Sequence, residues 1–277
     1  RNNRLEYVIT FEDLLTFDFT QTFKEAISGE EKKYIPIVSL DSDDIEDAVA
    51  RIEEFNLNAL AIVDNHGYLV GRITADDVYD IIKELSTEQM YKMAGLDDDA
   101  EEDEAILSAG KKRGVWLSLN LVTAIIASLV IALFSDTLES LVALAILMPI
   151  VASMGGNAGT QSLTVVVRQL ALGDIAGNDA IRVIKKEVFI ALGNGLIFAV
   201  LMGFIAYIWF DKALLGVVIA LSMVINLFVA GLFGAMIPLM LKRMDIDPAI
   251  GSTVILTTVT DVVGFISFLG LATLILL

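Results

Sequence analysis

Cysteine is absent from the 277 residues, which excludes disulfides, thiolate metal sites and cysteine-based catalysis. Histidine occurs once, at His66, in the polar turn Asn65-His66-Gly67. It has no companion ligand beside it, so neither a zinc centre nor histidine catalysis is expected, and no enzymatic constellation stands elsewhere. Acidic residues are scarce in the second half: residues 111–277 hold 9 Asp+Glu against 10 Lys+Arg, whereas residues 1–110 hold 27 against 9. The formal net charge of −17 therefore resides in the N-terminal part. So dense an acidic surface repels nucleic acid and anionic lipid and suits hard cations with oxygen ligands, such as Mg²⁺ or Ca²⁺. A face kept acidic for solubility is the alternative. No signal-peptide pattern is present and the first residue is Arg1, so the natural start is expected to lie upstream.

What the chain has in excess is apolar surface: 56% of residues are hydrophobic and the mean hydropathy is +0.70, too apolar for an ordinary soluble fold. A helical crossing of the hydrocarbon core takes roughly 20 apolar residues. Five stretches qualify, residues 115–134, 138–172, 188–210, 213–241 and 248–277. The expected class is an α-helical membrane protein with five transmembrane helices behind an N-terminal α/β domain. Lys111, Lys112, Arg113, Arg168, Arg182, Lys185, Lys186, Lys242 and Arg243 fall on one side and Lys212 on the other. By the positive-inside rule this places the acidic N-terminal domain in the cytosol and the C-terminus outside a cell membrane crossed several times. Trp116, Tyr207 and Trp209 read as interfacial anchors, and Pro149 and Pro238 as kinks or packing devices within their spans.

Two of the spans carry polar stripes. Asn157, Thr160, Gln161, Thr164 and Arg168 fall at i, i+3, i+4, i+7 and i+11, on one helical face. They follow Gly155 and Gly156, where three glycines in five residues weaken a helix. In the fifth span Thr253, Thr257 and Asp261 stand at i, i+4 and i+8. Asp261 is the acid read as lying well inside a span, Glu187 and Asp211 being at span ends. Placing such a group at bilayer depth costs on the order of 3 kcal/mol, so it marks a functional site. No Lys or Arg stands at that depth, and a cation is the simplest partner. Mg²⁺ dehydrates reluctantly and is held by one or two carboxylates with several waters retained. Two chains sharing an axis, or one chain with Asn157, Thr160 and Gln161 supplying further oxygens, would both serve. An interhelical hydrogen-bond network or a protonated Asp are the structural alternatives.

In the acidic part, Val8-Ile9-Thr10-Phe11-Glu12-Asp13-Leu14-Leu15 repeats as Arg72-Ile73-Thr74-Ala75-Asp76-Asp77-Val78-Tyr79, each a strand running into a helix. Between them residues 35–38 read as a strand, 44–55 as a helix with Ile45, Val49 and Ile52 inward, and 59–63 with 68–73 as a hairpin. This order, closed by Gly71-x-x-Thr74-x-x-Asp77, resembles a CBS (cystathionine-β-synthase-like) module. The second copy spans residues 36–85 and the first survives at residues 5–28. The resemblance implies adenine-nucleotide binding such as ATP, with Thr74 and Asp77 on ribose and phosphate, whereas helix capping explains the same pair without a ligand. Residues 1–85 form this region, 86–110 an acidic connecting, plug-like helix and linker, and 111–277 the membrane domain. The connecting helix carries Asp80, Glu84 and Glu88 and runs to about Met93. Seven acids within residues 97–104 read as a solvated linker or as a cation sensor at the cytosolic mouth.

The run Gly155-Gly156-Asn157-Ala158-Gly159-Thr160-Gln161-Ser162, with Asp247-Pro248-Ala249 and Thr260-Asp261-Val262-Val263-Gly264, resembles the MgtE family of magnesium channels and transporters along the whole chain. The resemblance implies a homodimer in a lipid bilayer, with a central pore between the second and fifth helices. It puts the pore carboxylate on Asp261 and other Mg²⁺-binding positions on Asn157, Thr160, Thr164 and Thr257, with Gly155, Gly156, Gln161 and Thr253 lining the pore. It further implies that cytosolic Mg²⁺, at sites including Asp77, Glu84 and Glu88, closes the pore. Leu85 and Gln89 depart from the acidic face this would favour, and the resemblance implies a helical domain before the CBS pair that residues 1–277 do not include. The expected function is a Mg²⁺-selective, channel-like transporter driven by the electrochemical gradient. A proton- or sodium-coupled divalent carrier and a membrane-anchored CBS sensor without transport are the competing readings.

Overall fold

The computed structural model describes residues 4–18, 20–96, 106–173, 175 and 179–277. The acidic run at 97–104 and parts of the 174–178 loop lie outside the described residues. The chain divides into two compact units, Arg1–Ser86 and Thr87–Leu277.

The first unit is a small α/β layer. Strands β1 (Val38–Leu40), β2 (Ala59–Val63) and β3 (Leu69–Thr74) form one sheet in that order, β1 parallel and β3 antiparallel to β2. Helix α3 (Ile45–Glu54) makes the parallel crossover and buries Ala48 and Ile52 on Leu60 of the central strand. Ile45, expected inward, is exposed, because Ala48 and Ile52 at i+3 and i+7 take the buried face. The strand expected at 35–38 begins at Val38 instead. The hairpin turn is held by Asp64, whose Oδ1 accepts from the His66 and Tyr68 amides.

The internal repeat survives as capping chemistry. Helix α1 (Phe11–Thr16) is capped by Thr10, whose hydroxyl accepts from the Asp13 amide at 3.1 Å and donates to its carboxylate at 2.8 Å. At the equivalent positions the Thr74 amide and hydroxyl donate to Asp77 Oδ2 at 2.9 and 2.5 Å, opening α4 (Ala75–Met93). The strand expected before α1 does not form. Residues 5–10 make isolated backbone bonds, Leu5 N to Gly67 O and Val8 N to Tyr34 O, rather than a ladder. Short α2 (Phe23–Ala26) opens on a Thr22–Glu25 capping box.

In the second unit, among the described residues, five helices are long and apolar enough to cross a membrane: α5 (Ile106–Ala132), α7 (Val142–Ala171), α8 (Ala180–Phe210), α9 (Ala213–Arg243) and α10 (Ser252–Leu276). A short α6 (Ser135–Ser140) divides what reads in sequence as the start of the second span. Helix α9 is the hub, packing on α7, α8 and α10, and half of its apolar stretch is buried within the unit, against 6% for α5. Leu215, Val218, Ile219, Met223 and Leu227 of α9 join Leu144, Leu147 and Val151 of α7 and Phe268 and Leu269 of α10 in the main core.

Helix α7 runs unbroken through the glycine-rich stretch and past Pro149. Its glycines admit neighbours rather than loosen the helix. Asn226 of α9 is fully buried and donates from Nδ2 to Val151 O at 2.8 Å. A methyl group on Gly155 would stand 2.3 Å from that nitrogen, and one on Gly264 of α10 2.8 Å from it. Three helices thus close on one buried amide, whose Oδ1 has no hydrogen-bond partner among the described residues. Glu187, expected at a span end, is instead buried in the second turn of α8, because that helix starts at Ala180 rather than near 188.

Candidate functional site

Asp261 sits on the third turn of α10, half-buried and within the span. Its carboxylate opens into a pocket of about 350 Å³ between α10 and α5. The α10 wall carries Thr253, Thr257, Thr258 and Asp261, and the α5 wall carries Trp116, Asn120, Thr123 and Ala124. The α5 positions fall at i, i+4, i+7 and i+8, so one helical face delivers all four. Among the described residues no hydrogen bond or ion pair reaches the Asp261 carboxylate.

The threonines are prepared as acceptors. The Thr257 hydroxyl donates to Thr253 O at 3.0 Å and Thr258 to Val254 O at 2.6 Å. A hydroxyl has one proton and two lone pairs. Spending the proton on the helix backbone leaves oxygen lone pairs for a ligand, which suits a cation or the protons of its waters. An octahedral ion with six waters, at about 30 Å³ each, needs roughly 180 Å³, which the pocket exceeds. Among the described residues no three His, Cys, Asp or Glu side chains converge on one point. A single carboxylate among neutral oxygens matches a partly hydrated hard ion better than a bare ion in a cage of anions.

The α7 stripe does not line this pocket. Asn157, Gln161, Thr164 and Arg168 are exposed on the surface of the unit and Thr160 is partly so. Thr160 and Thr164 also donate to the backbone one turn back, to Gly156 O and Thr160 O, each at 2.8 Å. Asn157 Nδ2 donates to Ser153 Oγ at 3.3 Å, leaving its carbonyl outward. Gly156 faces open space, whereas Gly155 is filled against Asn226. The expected pore positions therefore form two groups in one chain, an outward stripe on α7 and a half-buried cluster around Asp261.

Sequence reasoning missed Asn120 and Thr123, and it took Trp116 for a lipid anchor. The signal was available in two polar residues inside the first span, sharing a face with Trp116. The indole is instead half-buried at one end of the pocket, between two left-handed glycines. A methyl on Gly95 (φ +72°) would lie 3.4 Å from its Cδ2, and one on Gly251 (φ +68°) 3.7 Å from its Cη2.

Of the acids expected to hold regulatory metal, Asp77 is engaged with Thr74 as described, and Glu84 is exposed. The Thr74 hydroxyl, then its amide, hold the Asp77 carboxyl below its usual range. Glu88 is paired with Lys92 one turn on, and Lys92 Nζ also reaches Asp247 Oδ2 at 2.8 Å in the α9–α10 loop. Burial pulls the Lys92 ammonium down, and its bonds to Asp247 and Glu88 more than offset this, leaving it raised. Next to it Met93 O accepts from Thr253 Oγ1 at 3.0 Å.

Five apolar helices of spanning length behind a small α/β module define the class of multi-pass membrane proteins. Comparison with known proteins narrows it. Residues 148–271 match the MgtE family, described as a divalent cation transporter, and residues 32–84 match the CBS domain. The magnesium transporter MgtE of Bacillus subtilis is 33% identical over 259 residues, covering 91% of this chain and 57% of that protein. That of Thermus thermophilus is 32% identical over 276 residues, 99% of this chain and 60% of the relative, and that of Enterococcus faecalis 28% over 275 residues, 99% and 59%. The chain spans a little under two thirds of the length of these relatives. Residues 148–271 thus form a domain of the MgtE family, and residues 32–84 a CBS domain before it.

Proposed function

We propose that this protein moves Mg²⁺ across a cell membrane down its electrochemical gradient, with Asp261 as the carboxylate that receives the partly hydrated ion. The observation that carries this reading is the unpaired Asp261 in a pocket of about 350 Å³ whose threonine hydroxyls have already spent their protons. A charge at that depth is retained against a cost of on the order of 3 kcal/mol, and an ion in transit is the partner that offsets it. The names of the three relatives, all magnesium transporters, support the choice of cargo.

The proposal extends to assembly and regulation. A polar α7 stripe facing lipid would be costly, so two copies apposed through α7 would cover it and join the stripe to the ion path. The N-terminal acidic region lies in the cytosol on the positive-inside argument, and Mg²⁺ neutralising it favours closure, so that falling cytosolic Mg²⁺ opens the path. The decisive experiment is Mg²⁺ uptake into proteoliposomes. Asp261→Asn is expected to insert and fold as the parent does while losing uptake, and parental uptake would remove Asp261 from the path. Uptake that persists when pH and Na⁺ gradients are collapsed excludes the coupled-carrier alternative.

A further inference from the structure

Among the described residues, two carboxylates flank the Lys92 ammonium at the C-terminal end of α4. Lys92 keeps only 16% of its side chain exposed, and its ammonium lies between Glu88 on its own helix and Asp247 of the α9–α10 loop. Asp247 is itself fixed, since its other oxygen accepts from the Ala249 amide at 2.8 Å. One residue further on, Met93 O receives the Thr253 hydroxyl of α10.

There α4 stops and turns. Gly95 N donates to Lys92 O and Leu96 N to Tyr91 O, with Gly95 left-handed, the closing geometry that glycine permits at a helix C-terminus. The turn lays Ala94 and Gly95 over the Asp261 pocket, with Gly95 against the Trp116 indole. Three contacts, an ion pair, a hydroxyl-to-carbonyl bond and glycine–indole packing, hold the same turn over the same pocket, and a backbone bond fixes the ion pair's partner in the loop.

We propose that Lys92 is a built-in cation of a lid: its ammonium supplies one of the positive charges that hold the α4 end on the α9–α10 loop, so the Asp261 pocket closes at a lower Mg²⁺ concentration than the acids alone would need. Without the ammonium, Glu88 and Asp247 are two carboxylates drawn to one point with nothing between them. They repel, the turn lifts, and a divalent ion must take the ammonium's place. A charge-assisted contact of this kind is strong because both partners are part-buried. Lys92 acts on the pocket through the turn and touches no transported ion. The inference rests on the proposed role of Asp261 only for naming the pocket as the ion's.

The chain lacks cysteine, so a single introduced thiol reports on the pocket. Asn120→Cys places it in the α5 wall, and Thr123→Cys serves as a second probe should the first fail to fold. The measurement is the modification rate by a membrane-impermeant thiol reagent, applied from the α4 side at rising Mg²⁺, in parent, Lys92→Met and Lys92→Arg backgrounds. Lys92→Met is expected to be modified several-fold faster without divalent ion and to need about tenfold more Mg²⁺ for protection. Lys92→Arg, which keeps the charge, is expected within about twofold of the parent. A Lys92→Met rate no faster than the parent's without divalent ion, or protection at the parental Mg²⁺ concentration, overturns the proposal. No ion flux enters this readout, so loss of the Asp261 transport reading leaves it intact. If the parent rate ignores Mg²⁺, the regulatory reading fails while the rate without divalent ion still judges the lid.

Discussion

At the scale of single residues the site depends on where a few protons go. Thr257 and Thr258 give theirs to the backbone of α10, so the pocket presents oxygen lone pairs next to Asp261. Asn120 on the facing helix is the residue that adds an amide to this set. Replacing it with Leu keeps the size and removes the polar contact. A hydrogen bond to a charged or hydrated ion is worth about 1.5 kcal/mol, so Asn120→Leu should reduce Mg²⁺ uptake about tenfold with unchanged expression, and uptake at the parental rate would detach α5 from the ion path. Asp77 bears on stability instead. Its carboxyl is held below the usual range by Thr74, so its contribution is present above the unfolded value near 3.9 and lost as pH falls through the lower folded value. Thermal unfolding of the N-terminal unit should show the full deficit of Asp77→Asn at pH 7 and a deficit that shrinks as pH falls below the unfolded value. That Asp261 and Thr257 share one helical face was legible in the sequence from their spacing. The partners of Lys92 were not, because Asp247 lies 155 residues away and ion pairing leaves no periodic trace.

At the scale of elements the glycines of α7 carry the lesson. Three glycines in five residues read as a weakened helix, yet α7 is continuous over 30 residues. In lipid every backbone group must be satisfied internally, which stiffens a helix against its own composition. The glycines serve contact instead, since Gly155 accommodates the buried Asn226 amide. Gly155→Ala would set a methyl 2.3 Å from its nitrogen. Overpacking of this order costs about 2 kcal/mol, so the detergent-solubilised protein should melt several degrees lower, while Gly156→Ala, which meets open space, should melt with the parent. Equal melting of both variants would mean that α7 and α9 do not meet at Asn226. The repeat in the first unit teaches a related point: matching sequences conserved a threonine–aspartate helix cap at both sites, while the strand before α1 lacked a neighbouring strand along which to pair.

At the scale of the whole molecule the exposed α7 stripe is the surface that the proposed apposition of two copies would cover. Asn157, Gln161, Thr164 and Arg168 are exposed on a helix that composition assigns to the membrane. Under the proposed apposition of two copies, a thiol at Asn157→Cys should cross-link to its counterpart under mild oxidation in the membrane. One at Val200→Cys, exposed at 73% on α8, should face lipid and stay monomeric. Equal cross-linking at both positions, or none at Asn157→Cys, would place the polar stripe elsewhere than in an interface between copies.

The sequence alone determined the class and outline of this protein. Hydrophobic run length set the five helices, β-strand alternation and turn residues set most of the module, and a carboxylate inside an apolar span flagged Asp261. Those signals are local, because solvation and helix geometry act residue by residue. Only the tertiary structure decided which side Asp261 faces, that α5 rather than α7 shares its pocket, and that Lys92 joins α4 to the α9–α10 loop. These choices depend on which helix faces close against one another. They are settled by packing among residues far apart in the chain, around a buried Asn226 whose fit to two glycines no periodic pattern encodes.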